Sequence, residues 1–135
     1  MPHVVVEYSA NLRDRADVPR LLRVLHDAAL ATGVFPRGGT RTRAEERADW
    51  VIADAHPDNA FVHVTLRIGH GRDLETRRRA GQAVFDALVA ELAPAFSATP
   101  LAISFEVQEI DPELSWKHNN VHRYVEARDA GRDTP

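Results

Sequence analysis

From Phe61 to Ile68 every second residue is apolar: Val62, Val64, Leu66 and Ile68 share one side, His63, Thr65 and Arg67 the other. Side chains alternate across a strand, so this stretch demands a sheet with one strongly apolar face under cover. Leu101, Ile103, Phe105 and Val107 repeat the alternation, and the β-branched run His3–Tyr8 predicts another strand. Helical spacing fills the gaps between them. Val18, Leu21, Leu22, Leu25 and Ala29 predict a helix from Val18 to Thr32, opened by Asp17 and Pro19 and closed by Gly33. Ala80, Gly81, Val84, Phe85, Leu88 and Leu92 predict a second helix, capped by Asp73 and ending near Pro94. The weaker middle of the chain offers an alternating polar stretch, Thr40-Arg41-Thr42-Arg43, and a short strand at Trp50-Val51-Ile52. Trp116 to Val125 predicts a short C-terminal element.

The order strand, helix, short strands, then strand, helix, strand predicts an α+β fold of two duplicated β-α-β units. Strands joined through a long helix pair in parallel by right-handed crossovers. A four-stranded sheet with two helices on one face leaves its other face bare. The polar positions His63, Thr65 and Arg67 lie there, so this face is solvated or covered by another subunit, and an oligomer is expected. One domain is expected over residues 1–126, followed by a polar, frayed tail at 127–135.

Composition narrows the chemistry. With 135 residues and no cysteine, disulfides, thiolate catalysis and cysteine-bound metal are excluded. A net charge of -3 gives no global field toward nucleic acid or anionic membrane, so neither is an expected partner. No apolar run is long enough to span a bilayer and the start does not read as a signal peptide, so a cytoplasmic location is expected. Affinity for an acidic ligand must come from local clusters of arginine, which supplies all but one of the 17 basic residues; Lys117 is the only lysine.

Pro2 is the first candidate for chemistry. A small second residue is the usual condition for removal of Met1, which leaves a prolyl secondary amine at the terminus. A terminal amine titrates near 7.7–8.0, and apolar or cationic surroundings lower that further, toward the neutral form a general base needs. Arg41 and Arg43 come next, because an extended backbone points both to the same side. Arg72 lies in a Gly-rich turn before a helix N-terminus, where backbone N–H groups also favour anions. Such a group could hold a carboxylate substrate and stabilise a dienolate. Arg77, Arg78 and Arg79 read as solvated charge. His118 and His122 have the i, i+4 spacing of a metal pair but no third ligand nearby, and no metal is expected. His63 reads as a satisfied structural histidine, and His3 adjoins the proposed base. There is no P-loop, G-x-G-x-x-G, G-x-S-x-G or H-E-x-x-H motif, which disfavours nucleotide chemistry and triad hydrolysis.

Several longer segments together carry a resemblance. They are Met-Pro-His-Val-Val-Val-Glu-Tyr-Ser at the start, Ala31 to Arg43, Phe61 to Glu75, Ser104 to Ile110, and Trp-Lys-His-Asn-Asn-Val-His at Trp116 to His122. From Pro2 to Tyr124 the chain resembles the 5-carboxymethyl-2-hydroxymuconate Δ-isomerase family of the tautomerase superfamily. The resemblance implies a tautomerase-like, four-stranded mixed sheet, a homotrimer, and Pro2 as general base. It implies that Arg41, Arg72 and Arg43 bind substrate. It also implies a cofactor-free ketonisation of an unsaturated 2-hydroxy acid in homoprotocatechuate breakdown. The charged run Ala44–Arg47 departs from the family pattern and brings Glu45 and Glu46 close to the proposed anion site. Two alternatives stay open at this point: a superfamily relative with other chemistry, such as dehalogenation or hydration, and a non-enzymatic trimeric module that holds a small carboxylic acid.

Overall fold

In the computed structural model, which describes residues 1–135, the chain runs β1 (His3–Ser9), α1 (Val18–Ala31), β2 (Arg41–Arg47), β3 (Ala60–Gly69), α2 (Leu74–Ala98), β4 (Leu101–Ile110) and α3 (Val121–Asp129). The four strands form one sheet in the order β2-β1-β3-β4. β1 pairs in parallel with β2, β3 in parallel with β4, and the two halves meet through an antiparallel β1–β3 pair. The sheet is therefore mixed, two β-α-β units set head to tail, as expected.

Both long helices lie on one face. The Asp17 carboxylate accepts the Arg20 N–H at 3.0 Å to open α1, and Asp73 does the same for Thr76 at 2.7 Å in α2. Val18, Leu21, Leu25 and Ala29 of α1, with Ala80, Val84, Leu88 and Leu92 of α2, are buried against Val4, Val6, Val62, Val64, Leu66 and Ile68 of the central strands. Gly33, at φ +70°, takes the left-handed turn that ends α1.

Three sequence expectations need correction. Trp50–Ile52 forms no strand. It belongs to a loop in which the Trp50 indole donates to Asn59 O at 3.1 Å, and Ala53 and Ala55 adopt positive φ. The strand is Arg41–Arg47 instead, an edge strand whose charged side chains suit its exposed position and guard against stray pairing. Second, α2 passes through Pro94 and ends at Ala98. The carbonyl that Pro94 leaves without a helical partner belongs to Ala90, an exposed residue, and buried Ala95 keeps the last turn docked. Third, the tail does not fray from residue 127. Helix α3 continues to Asp129, Ala127 is 1% exposed, and Asp129 pairs with Arg37 at 2.9 Å. The Asn119 side chain donates to Gly38 O at 2.9 Å, and a Cβ on Gly38 would lie 2.6 Å from the His122 Cα. The C-terminal segment is thus clamped onto the loop that precedes β2.

This topology assembles one end of the sheet. Because β2 runs with β1 and β3 runs against it, His3 faces Arg41 on one side and Arg67 on the other. Gln108 of β4 continues the row beyond Arg67. The chain start, the start of β2 and the end of β3 meet there, although Arg41 and Arg67 stand far from residue 3 in sequence.

Candidate active site

Pro2 is buried at the head of β1, and its carbonyl accepts the Arg41 N–H at 3.1 Å. That backbone bond anchors Arg41 beside the chain start, where its guanidinium reaches the Met1 sulfur at 3.3 Å. Arg72 arrives from the turn between β3 and α2. Its guanidinium donates to Gly69 O and Val34 O, each at 3.2 Å, and lies 5.3 Å from the centre of the Phe35 ring. Two carbonyls and an aromatic face hold the planar cation in place with donors to spare.

Lys117 completes the group. It comes from the irregular segment before α3, held by the Asn119–Gly38 bond, and it adjoins Met1 in two cavities that flank the chain start. The amine of Met1, at the chain start, is pushed below its ordinary value near 8 by burial first, then by the nearby charges of Lys117, Arg72 and Arg41. A neutral amine is the outcome that burial and three cations favour. Arg43 stands one step outside, its guanidinium 3.1 Å from His3 Nδ1. His3 is itself held below the usual histidine range, by burial first and then by Arg43 and Arg41, so it stays neutral and can accept from Arg43.

Five arginines elsewhere are neutralised by acidic partners. Arg13, Arg20, Arg37, Arg47 and Arg77 all pair with carboxylates, whereas Arg41, Arg43, Arg67, Arg72 and Lys117 make no ion pair. Glu45 and Glu46, which the sequence sets close to this site, are neutralised by other partners. Glu45 meets Arg47 at 2.9 Å, and Glu46 meets Arg13 at 2.6 Å and the Tyr8 hydroxyl at 3.2 Å. The positive end of the sheet therefore keeps its charge for an outside anion.

Of the residues singled out from sequence, Pro2, Arg41 and Arg72 come together, and Arg43 sits next to them on His3. Arg77, read as solvated charge, instead pairs with Glu109 at 3.0 Å. His122 packs over Gly38, and no cluster of three potential metal ligands forms around it. His63 bonds Ser104 at 2.7 Å and Glu106 at 3.1 Å, as a satisfied histidine does. Sequence reasoning passed over two cations at this end. Lys117 carried a signal, as the sole lysine in an arginine-rich chain; Arg67 carried none until the β1–β3 register put it opposite His3.

Comparison with known proteins agrees with this architecture. The model of the family 5-carboxymethyl-2-hydroxymuconate isomerase matches residues 2–125. The Escherichia coli 5-carboxymethyl-2-hydroxymuconate Delta-isomerase is 43% identical over 122 residues, which are 90% of this chain and 97% of that protein. A crystal structure of a 5-carboxymethyl-2-hydroxymuconate isomerase from Deinococcus radiodurans R1 superposes with a TM-score of 0.84 at 38% identity, covering 90% of this chain and 91% of that one. A fused 4-OT symmetric trimer shares the fold alone, with a TM-score of 0.64 at 18% identity over 89% of this chain and 97% of that one. The matched span opens on the buried proline around which the unpaired cations gather, and it extends through the segment that delivers Lys117: this chain belongs to the 5-carboxymethyl-2-hydroxymuconate isomerase family.

Proposed function

We propose that this chain is a 5-carboxymethyl-2-hydroxymuconate Δ-isomerase of homoprotocatechuate breakdown, with the Pro2 nitrogen, laid bare by loss of Met1, as its base. The substrate is a dienol, with its hydroxyl on C2 and double bonds at C2–C3 and C4–C5. The neutral proline nitrogen takes the hydroxyl proton, the electron pairs shift to give C2=O and C3=C4, and the proton is returned at C5. Atoms and charge balance, because the conjugated chain itself accepts the electron pair. Arg41 and Arg72 grip carboxylates and offset the charge that builds on the dienolate oxygen. Arg43, seated on His3, borders the same anion-binding edge. The observation that supports this most is the convergence of Arg41, Arg72 and Lys117 on the chain start, all without an acidic partner.

The pH profile tests it. A base works only when deprotonated, so kcat/KM should rise with pH through the terminal amine's titration and then level off. The same burial and cations that lower the Met1 amine one residue away should bring the midpoint of that rise below the ordinary terminal-amine value of about 8. The measurement is loss of the dienol absorbance of 5-carboxymethyl-2-hydroxymuconate, with the terminal residue verified by mass spectrometry. Tight binding without turnover would favour the non-enzymatic module instead.

We further propose that the enzyme works as a cytoplasmic homotrimer on a free carboxylate substrate. Val51, Leu114 and Trp116 are 82%, 71% and 86% exposed, and the last two rim the larger cavity beside the chain start. Apolar surface of this size gains when a neighbouring subunit removes it from water. Light scattering should return three copies of the 15.1 kDa chain; a monomer at assay concentration would rule the assembly out.

A further inference from the structure

We infer that Arg67 and Lys117 form a second anion-binding pole, which takes the carboxymethyl carboxylate of the substrate and makes the enzyme prefer a tricarboxylate over a dicarboxylate. This rests on the isomerase function proposed above and adds a specificity-determining pair to it.

The placement of the cations carries the inference. Arg41 and Arg67 flank His3 from opposite sides, one on β2 and one on β3, with their side chains on the same bare face of the sheet. Two strand spacings separate their backbones by about 10 Å. Arg72 stays against Phe35 and Val34, so Arg41 and Arg72 serve one end of a ligand and cannot also hold an anion beyond His3. A cavity of about 460 Å³ opens on that far side, and neither Arg41, Arg43 nor Arg72 lines it. Its polar wall is made by Arg67, Lys117, His3 and His70, its apolar wall includes Leu114 and Trp116, and no Asp or Glu borders it. Arg67 and Lys117 also lack ion-pair partners, in contrast to Arg47 and Arg77 elsewhere on the sheet and its helices.

Charge counting gives the pole its ligand. 2-Hydroxymuconate has two carboxylates, whereas its 5-carboxymethyl derivative has three, the third branching from the carbon that receives the proton. Arg41 and Arg72 match the end that carries the oxyanion. A proton delivered to C5 from the Pro2 nitrogen brings C5 to the chain start, and its branch then enters the space edged by Arg67 and Lys117. An apolar wall with two cations suits a short methylene and its carboxylate.

The test is the ratio of kcat/KM for 5-carboxymethyl-2-hydroxymuconate to that for 2-hydroxymuconate, in wild type, Arg67→Met, Lys117→Met and the double variant. A change in the terminal amine or in the folded fraction acts on both substrates alike and cancels in the ratio. Each single variant should lower the ratio by about tenfold or more, the size of one charge-assisted hydrogen bond, and the double variant further. Lys117→Arg should keep most of it. An unchanged ratio in both single variants, whether or not overall turnover falls, would overturn the inference and leave the isomerase intact. A wild-type enzyme that turns over neither substrate would instead overturn the proposed function.

Discussion

A chain that keeps Met1 should turn over substrate about 10²- to 10⁴-fold more slowly than one that begins at Pro2, the span a positioned general base contributes. With Met1 attached, the proline nitrogen is a tertiary amide; its lone pair is delocalised into the carbonyl and it can hold no proton. The amine of Met1 cannot substitute, because it lies a full residue, about 3.8 Å of chain, away from the place the base should occupy. Methionine also gets in the way. Its side chain takes up the Arg41 guanidinium at 3.3 Å and lines both cavities at the site. Comparing preparations with and without Met1, each verified by mass spectrometry, measures the effect directly. Pro2→Ala should lose less, since processing still leaves a primary amine in the same cationic surroundings, and its acidic limb should move with that amine. Equal turnover with and without Met1 would remove the proline nitrogen from the mechanism.

Arg41→Gln and Arg72→Gln should each lower kcat by about 10²- to 10³-fold, as loss of one preorganised charge donor does elsewhere, but only the second should also weaken the fold. Arg41 bonds the Met1 sulfur with its side chain, and its link to Pro2 is through the backbone, which glutamine keeps. Arg72 donates to two backbone carbonyls and packs on Phe35, a core residue. Stranding those carbonyls costs about 1–3 kcal/mol. Thermal melts should therefore leave Arg41→Gln near wild type and lower Arg72→Gln by several degrees. In both variants the acidic limb of kcat/KM should move to higher pH, because each removes from the chain start a positive charge that lowers the Met1 amine and should disfavour protonation of the exposed Pro2 amine likewise. Wild-type kcat in Arg41→Gln would take that residue out of the substrate site.

The strands and helices with regular apolar spacing could be read in advance. Val62 to Ile68 and the stripe Val18–Leu21–Leu25–Ala29 each state a period that only one element satisfies, and both appear in the fold as read. β2 was hidden for a physical reason. An edge strand bonded on one side needs no apolar face, so Arg41–Arg47 spells charge while Trp50–Ile52, which looks like a strand, turns its indole to Asn59. Pro94 misled in the same way: a missing N–H breaks a buried helix but costs little where the freed carbonyl meets water.

Local chemistry therefore settled the elements with regular apolar spacing, and it pointed to Pro2, Arg41, Arg43 and Arg72 because a secondary amine and guanidinium groups declare their reactivity wherever they sit. Strand register was beyond its reach, since pairing partners far apart in the chain are chosen by the burial of whole faces. The antiparallel β1–β3 contact alone sets Arg67 beside His3, and the docking of α3 on Gly38 alone carries Lys117 to the terminal amine. Whether a cation is matched by a carboxylate is likewise a fact of three-dimensional neighbourhood, and it separates Arg41 and Arg72 from Arg13, Arg20, Arg37, Arg47 and Arg77.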